Sequence, residues 1–122
     1  MEKKAFGKAT APLAPALKVG KTIFISGQVP RTPEGKVVEG DVRAQTEQVL
    51  DNIETLLKEA GASMADVVKT TVILPQVKRD FAAMNEVYGS RFPDPKPSRT
   101  TLGAELAIDI LVEIEAVAMV DG

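Results

Sequence analysis

Two segments near the C-terminus each place one charged residue in a strand-like stretch. Arg99 lies within the segment PSRTT of residues 97–101, and Glu113 lies within LVEIEAV of residues 111–117. A planar guanidinium can hold a carboxylate through two parallel, charge-assisted hydrogen bonds. A carboxylate can orient a water molecule or stabilise an iminium ion. The two residue types together therefore predict a small hydrolytic site for a substrate that carries a carboxylate.

This site has to work without the usual catalytic side chains, because the chain contains no His and no Cys. Disulfides, zinc sites built on those ligands and nucleophilic triads with an imidazole base are excluded. The net charge of -2 and the scattered Lys and Arg residues give no basic stripe for a phosphate backbone. Nucleic-acid binding is therefore disfavoured, and hydrolysis of a small-molecule substrate at this site would need no cofactor.

The chain begins with MEKK (residues 1–4), which is basic enough to open a signal peptide, but Pro12 and Pro15 interrupt the apolar stretch that would have to follow. No long uncharged apolar run occurs later in the chain. The sequence predicts a cytoplasmic protein that does not span a membrane.

The elements that position Arg99 and Glu113 follow from residue periodicity. Residues 16–19 and 22–26 are β-prone and flank Gly20-Lys21, which predicts a hairpin. Asp41 caps a helix of about five turns that ends near Gly61, and residues 67–74 form a central strand stopped by Pro75. Asp80 caps a second helix, whose apolar face comprises Phe81, Met84, Val87, Tyr88 and Phe92.

A strand, a long helix and a second strand predict a right-handed parallel crossover. Residues 1–122 are thus expected to form one α+β domain, with a single mixed sheet and two helices on one face. Both faces of the last strand, residues 111–119, carry apolar side chains. Because two helices cover only one face of a sheet, the other face is expected to pack against further copies in a closed, symmetric oligomer.

Six segments, in this order, make the chain resemble the Rid/YjgF family of small enamine and imine deaminases, also labelled L-PSP endoribonucleases. The resemblance spans nearly all of the chain and lies in ISGQVP (25–30), QTEQVLDNI (45–53), VKTTV (68–72), FAAMNEVY (81–88), KPSRTT (96–101) and VEIEA (112–116).

The resemblance implies a chorismate-mutase-like fold, a homotrimer and three clefts between subunits. It implies that Arg99 grips the substrate carboxylate with help from the backbone amide of Thr101. It also implies that Glu113 holds the attacking water and that Ser26 and Gly27 line the cleft near the imine nitrogen. The expected substrates are 2-iminopropanoate and 2-iminobutanoate, which water converts to a 2-oxo acid and ammonia.

The chain departs from the family pattern at one cleft position. Where active deaminases usually carry Gly-Pro-Tyr-Ser-Gln-Ala, residues 11–16 are APLAPA, so Leu13 replaces the cleft tyrosine and a hydroxyl donor is lost. Thr101 stands where a Cys is frequent.

Direct pairing of the last two strands around a turn near Leu106 would place Arg99 opposite Glu113.

Other interpretations remain open from the sequence alone. Arg99 could be a solvated edge charge, Glu113 and Glu115 could form a polar face or an intersubunit salt-bridge site, and Ser26-Gly27 could be only a bend at a strand end. The second functional hypothesis is a non-catalytic trimer that binds or senses 2-oxo acids. The third is a ribonuclease or translation inhibitor, which the acidic charge and the missing His disfavour.

Overall fold

The computed structural model describes residues 1–121. A single mixed sheet carries both helices on one face. The strands are β1 (Lys3–Phe6), β2 (Ala16–Val19), β3 (Thr22–Gln28), β4 (Val67–Ile73), β5 (Ser98–Leu102) and β6 (Glu113–Met119), and the helices are α1 (Val42–Glu59) and α2 (Val77–Arg91). Within residues 1–121, no helix combines the length and apolar character needed to cross a bilayer.

The sheet has the strand order β1-β2-β3-β6-β4-β5. Strand β6 is antiparallel to both β3 and β4, while β4 and β5 are parallel. Strands β3 and β4 therefore run in the same direction, and α1 connects them as the parallel crossover was expected to. Direct pairing of β5 with β6 is wrong, because β4 lies between them. Helix α2 connects β4 to β5, and β5 lies parallel to β4 along one side of it. Strand β6 therefore pairs with β4 along its other side.

The hairpin turn and the first helix are confirmed, although β3 continues to Gln28, two residues beyond its predicted end. Val19 pairs with Thr22 across a turn in which Gly20 adopts φ +61°, a left-handed conformation that favours glycine. The side chain of Asp41 accepts a hydrogen bond from the Ala44 amide at 3.1 Å and caps α1.

The predicted start of the second helix is wrong. Helix α2 begins at Val77, immediately after Pro75 and the cap residue Gln76, so Asp80 lies inside the first turn. There it is buried and forms an ion pair with Arg79 at 2.9 Å. Asp80 therefore complements the helix dipole instead of capping the helix. Strand β1 was not expected, because its four residues include two exposed lysines and show no apolar alternation.

The core lies between the sheet and the helices. Ile23, Ile25, Ile114, Ala116 and Ala118 supply the sheet side, while Val49, Leu50, Ile53, Leu57 and Met84 supply the helix side. The opposite sheet face has no helix over it, and Phe24 and Met119 are about half exposed there. Apolar residues on the face without helices are thus confirmed, while their burial against further copies of the chain stays a prediction.

Candidate active site

Glu113 lies at the start of β6 and packs against Gly27. The register between β3 and β6 shifts between Ile25 and Gln28, so the strand is irregular where Gly27 lies. A side chain at position 27 would overlap the Glu113 carboxylate, since an added Cβ would lie 2.9 Å from its Cδ. The bare backbone of Gly27 is what makes room for this carboxylate.

Burial raises the pKa of Glu113, and the neighbouring charge of Glu115 raises it further. Glu113 is half-buried, and among residues 1–121 no hydrogen bond or ion pair engages its side chain. Its oxygens are therefore available to a ligand or a water molecule. A carboxylate with a raised pKa is a stronger base than an exposed one, which suits the activation of water.

The loop that contains Leu13 is held against β3 through Ser26, the neighbour of Gly27. The Ser26 hydroxyl donates to the carbonyl of Ala14 at 2.7 Å, and the Ser26 amide donates to the carbonyl of Pro15 at 2.9 Å. Leu13 itself is 52% exposed. Leu13, Ser26, Gly27 and Glu113 consequently belong to one region, which we call the glutamate half-site.

A buried glutamine that the sequence analysis did not single out fixes the backbone just before Glu113. Gln45 of α1 is 6% exposed; its Oε1 accepts from the Leu111 amide at 2.8 Å and its Nε2 donates to the Val38 carbonyl at 3.0 Å. Leu111 is two residues before Glu113. The sequence did carry a signal for Gln45, because it lies on the apolar face of α1. A polar side chain on such a face is buried and must find hydrogen-bond partners.

Arg99 lies in β5, at the edge of the sheet, and extends over α2. Its guanidinium carbon is 4.8 Å from the centroid of the Tyr88 ring and 5.7 Å from that of Phe81. Among residues 1–121, no hydrogen bond or ion pair engages this guanidinium. Stacking on aromatic rings uses only the flat face of the group, so its N–H donors stay available for a carboxylate.

Two unpaired polar atoms lie on β5 and α2, the elements that carry Arg99 and the two rings. Thr101 lies two residues along β5, on the same face, and its hydroxyl oxygen is buried without a hydrogen-bond partner, as is the side-chain oxygen of Asn85 on α2. Asn85 lies between Phe81 and Tyr88 in sequence, at helical spacing from both. We call Arg99, Thr101 and Asn85, with the two rings, the arginine half-site. The edge position of β5 also leaves every second backbone amide of this strand without a partner on β4.

One chain does not bring the two half-sites together. Arg99 is the register partner of Thr70, and Glu113 is the register partner of Ile73. Thr70 and Ile73 are three positions apart on one strand, so their side chains point to opposite faces of the sheet. The Cα atoms of Arg99 and Glu113 are then roughly 14 Å apart, from two strand spacings and three residues of rise. The prediction that the two side chains face each other within one sheet is wrong.

Two concave regions of residues 1–121 lie away from Arg99 and Glu113. One pit is lined by Lys69, Thr71, Glu115 and their neighbours, and one groove by Pro75 and residues 105–110. Neither contains Arg99 or Glu113.

We expect Gly27→Ala to displace the Glu113 carboxylate, because the new methyl group would occupy its space. Overpacking of this kind costs about 1 to 3 kcal/mol, either as lost stability or as movement of the side chain. A crystal structure of the variant measures the displacement, and thermal unfolding measures the stability. Gly89→Ala in α2 is the control, since an added Cβ there meets nothing within 4 Å and the residue has no positive φ. An unmoved Glu113 in Gly27→Ala would contradict the prediction.

Comparisons of sequence and of structure match this chain to known proteins over most of its length. A sequence model described as Endoribonuclease L-PSP matches residues 3–120. A RutC family protein of Pyrococcus abyssi is 48% identical over 116 residues, covering 91% of each chain. The chloroplastic Reactive Intermediate Deaminase A of Arabidopsis thaliana is 42% identical over 112 residues, which are 90% of this chain and 59% of that protein. The crystal structure of yeast Mmf1 superposes with a TM-score of 0.93 at 31% identity, covering 98% of this chain and 100% of the other.

Proposed function

We propose a function from the family to which the chain belongs, which is the Rid/YjgF (L-PSP) family. The protein hydrolyses small 2-imino acids, such as 2-iminobutanoate and 2-iminopropanoate, to 2-oxo acids and ammonia. The observation that carries this proposal is the state of Arg99 and Glu113. Each is only partly exposed, and among residues 1–121 neither side chain forms a hydrogen bond or an ion pair with another residue. A relative named for deamination of reactive intermediates supports the same reaction type.

In the proposed reaction the substrate carboxylate lies against the Arg99 guanidinium, which holds it through two hydrogen bonds. Glu113 accepts a proton from a water molecule as the water oxygen bonds to C2 of the protonated imine. The resulting carbinolamine carries a hydroxyl and an amino group on C2. Glu113 returns the proton it took from the water to the amino nitrogen, and the C–N bond breaks as the hydroxyl oxygen forms the C2=O bond of the 2-oxo acid. The hydroxyl proton leaves with the departing nitrogen as ammonium, so Glu113 is ionised again.

This mechanism needs Arg99 of one subunit and Glu113 of another, because the two half-sites lie on opposite faces of one sheet. A homotrimer with clefts between subunits satisfies this need. The open sheet face supports the proposal: Phe24 is 48%, Met119 52% and Leu102 40% exposed, and large apolar side chains in such numbers on one face favour burial against another copy.

We expect light scattering at micromolar concentration to give close to three times the mass of one chain. Phe24→Asp, which puts a charge on the open sheet face, should reduce this mass toward that of one chain, whereas Lys36→Asp in an exposed loop should not. A stable monomer for the parent protein would contradict both the trimer and the shared site.

The activity is tested by generating 2-iminobutanoate with an amino-acid-converting enzyme and following imine disappearance with and without the protein. Accelerated disappearance supports the deaminase. The alternative is a non-catalytic trimer that binds small carboxylates, which the exposed Leu13 in place of a tyrosine favours. Binding of 2-oxobutanoate in calorimetry, without accelerated imine loss, would establish that alternative.

Leu13 is expected to shift the substrate preference toward longer aliphatic side chains, because the glutamate half-site is more apolar than one with a tyrosine. One contacting methylene contributes about 0.8 kcal/mol, so the preference for four-carbon over three-carbon imines should be several-fold. Comparing kcat/KM for both imines in the parent and in Leu13→Tyr measures the shift. Equal rates on both imines, unchanged by the substitution, would contradict the expectation.

A further inference from the structure

Tyr88 connects the interior of the protein to the guanidinium of Arg99. Its hydroxyl lies 2.6 Å from the Thr70 hydroxyl, inside the core between α2 and β4. Its ring lies under the Arg99 guanidinium, at 4.8 Å from ring centroid to guanidinium carbon. Thr70 and Arg99 are register partners on adjacent strands. Tyr88 thus spans the two neighbouring side chains, one by a hydrogen bond and the other by its π face.

The ring itself is held from several directions. Tyr88 is only 5% exposed, and the Phe92 ring packs against it with a centroid separation of 4.6 Å. Ion pairs from Arg91 to Glu47 and Asp51 join the end of α2 to α1, which limits movement of the helix that carries the ring. A buried ring with a bonded hydroxyl has little rotational freedom. It is therefore a fixed surface for the flexible arginine side chain.

We propose that Tyr88 is a positioning residue for substrate binding: it holds the Arg99 guanidinium flat against α2 so that its N–H donors are aligned before a carboxylate arrives. The inference rests on the proposed function, in which Arg99 binds the substrate carboxylate. An arginine fixed in advance loses less conformational entropy on binding than one that is free in solvent. Tyr88 acts through Arg99 and does not touch the reacting atoms.

A merely structural tyrosine makes different predictions. If Tyr88 only filled the core, its replacement would lower the unfolding temperature and leave the orientation of Arg99 and the KM unchanged. Two substitutions separate its ring from its hydroxyl: Tyr88→Phe keeps the ring and loses the Thr70 contact, while Tyr88→Leu removes the ring. Met84→Ala is the matched control, because Met84 is fully buried one turn earlier on α2.

The first measurement uses NMR signals of the arginine Nε–Hε groups and needs no substrate. The Arg99 signal is assigned by its loss in Arg99→Lys. We expect it to be displaced by the ring current in the parent and in Tyr88→Phe, and to move to the position of exposed arginines in Tyr88→Leu. An Arg99 signal that is identical in the parent and in Tyr88→Leu would overturn the proposal.

The second measurement is the kinetic split on 2-iminobutanoate, with 2-oxobutanoate affinity from calorimetry. Tyr88→Leu should raise KM and Kd by about three- to thirtyfold, the range of a cation–π contact, and leave kcat within about twofold. Met84→Ala should keep KM near the parent value although it unfolds at lower temperature, and Tyr88→Phe, which keeps the ring, should raise KM less than Tyr88→Leu does. An equal rise in KM for Met84→Ala, or no rise for Tyr88→Leu, would show that the ring does not align Arg99. If the parent neither hydrolyses imines nor binds 2-oxobutanoate, the proposed function fails, and the NMR comparison alone decides whether Tyr88 holds Arg99.

Discussion

Arg99→Lys is expected to lower both the affinity for 2-oxo acids and the rate of imine hydrolysis strongly. Lysine keeps the positive charge, but its ammonium cannot form two parallel hydrogen bonds with a carboxylate. It also lacks the guanidinium whose carbon lies 4.8 Å from the Tyr88 ring centroid in the parent protein. Breaking a desolvated charge pair costs about 2 to 5 kcal/mol, which corresponds to roughly thirtyfold to several-thousandfold in Kd. Calorimetry with 2-oxobutanoate measures the affinity.

Arg79→Lys is the control for this substitution. Arg79 is also on the surface of the α2 region, but its guanidinium is paired with Asp80 and its side chain is 62% exposed. We expect no change in affinity or turnover for Arg79→Lys. If Arg99→Lys binds 2-oxobutanoate as the parent does, the carboxylate is held by another group and Arg99 is an edge charge.

Much of the fold could be predicted because local patterns determine it. Helix α1 has an apolar face at three- and four-residue spacing, a carboxylate at its start and Gly61 just beyond its end. The β2–β3 hairpin depends on a glycine at the one position that needs a positive φ. In each case the signal lies within a few residues, so no knowledge of the rest of the chain is required.

The strand order could not be predicted in the same way. Strand β6 pairs with β3 and β4, which are distant in sequence, and the preceding loop of residues 103–112 gives no turn signal that excludes pairing with β5. The error has a large consequence, because direct pairing of β5 and β6 would put Arg99 and Glu113 on one face. With β4 between them and a three-residue offset, the two side chains point to opposite faces.

The details of the two half-sites depend on contacts between elements. The helical spacing of Tyr88 predicts burial, which is correct, but gives no sign of the arginine that lies across the ring. Gly27 offered a better signal. A glycine in a strand can mark a bend or the close approach of another group, and here a side chain would overlap Glu113.

Glu113→Gln is expected to separate binding from chemistry, in contrast to Arg99→Lys. Glutamine keeps the shape of the side chain beside Gly27 but cannot accept a proton from water. Affinity for 2-oxobutanoate should stay within a few-fold of the parent, while imine hydrolysis should fall by about 100-fold or more. Single-turnover imine disappearance together with calorimetry measures both quantities. Hydrolysis at the parental rate would make Glu113 a structural strand residue.

The pH dependence gives an independent check on the same carboxylate. Because burial and the charge of Glu115 raise the pKa of Glu113, the acid-side fall in kcat/KM should occur above the usual range of a glutamate. Water activation needs the ionised form, so activity is lost as the pH falls through this raised pKa. Glu115→Gln removes one cause of the shift and should move the fall to lower pH without abolishing activity. If the fall stays in place in Glu115→Gln and also appears in the residual rate of Glu113→Gln, another group controls it, and Glu113 does not act as the base.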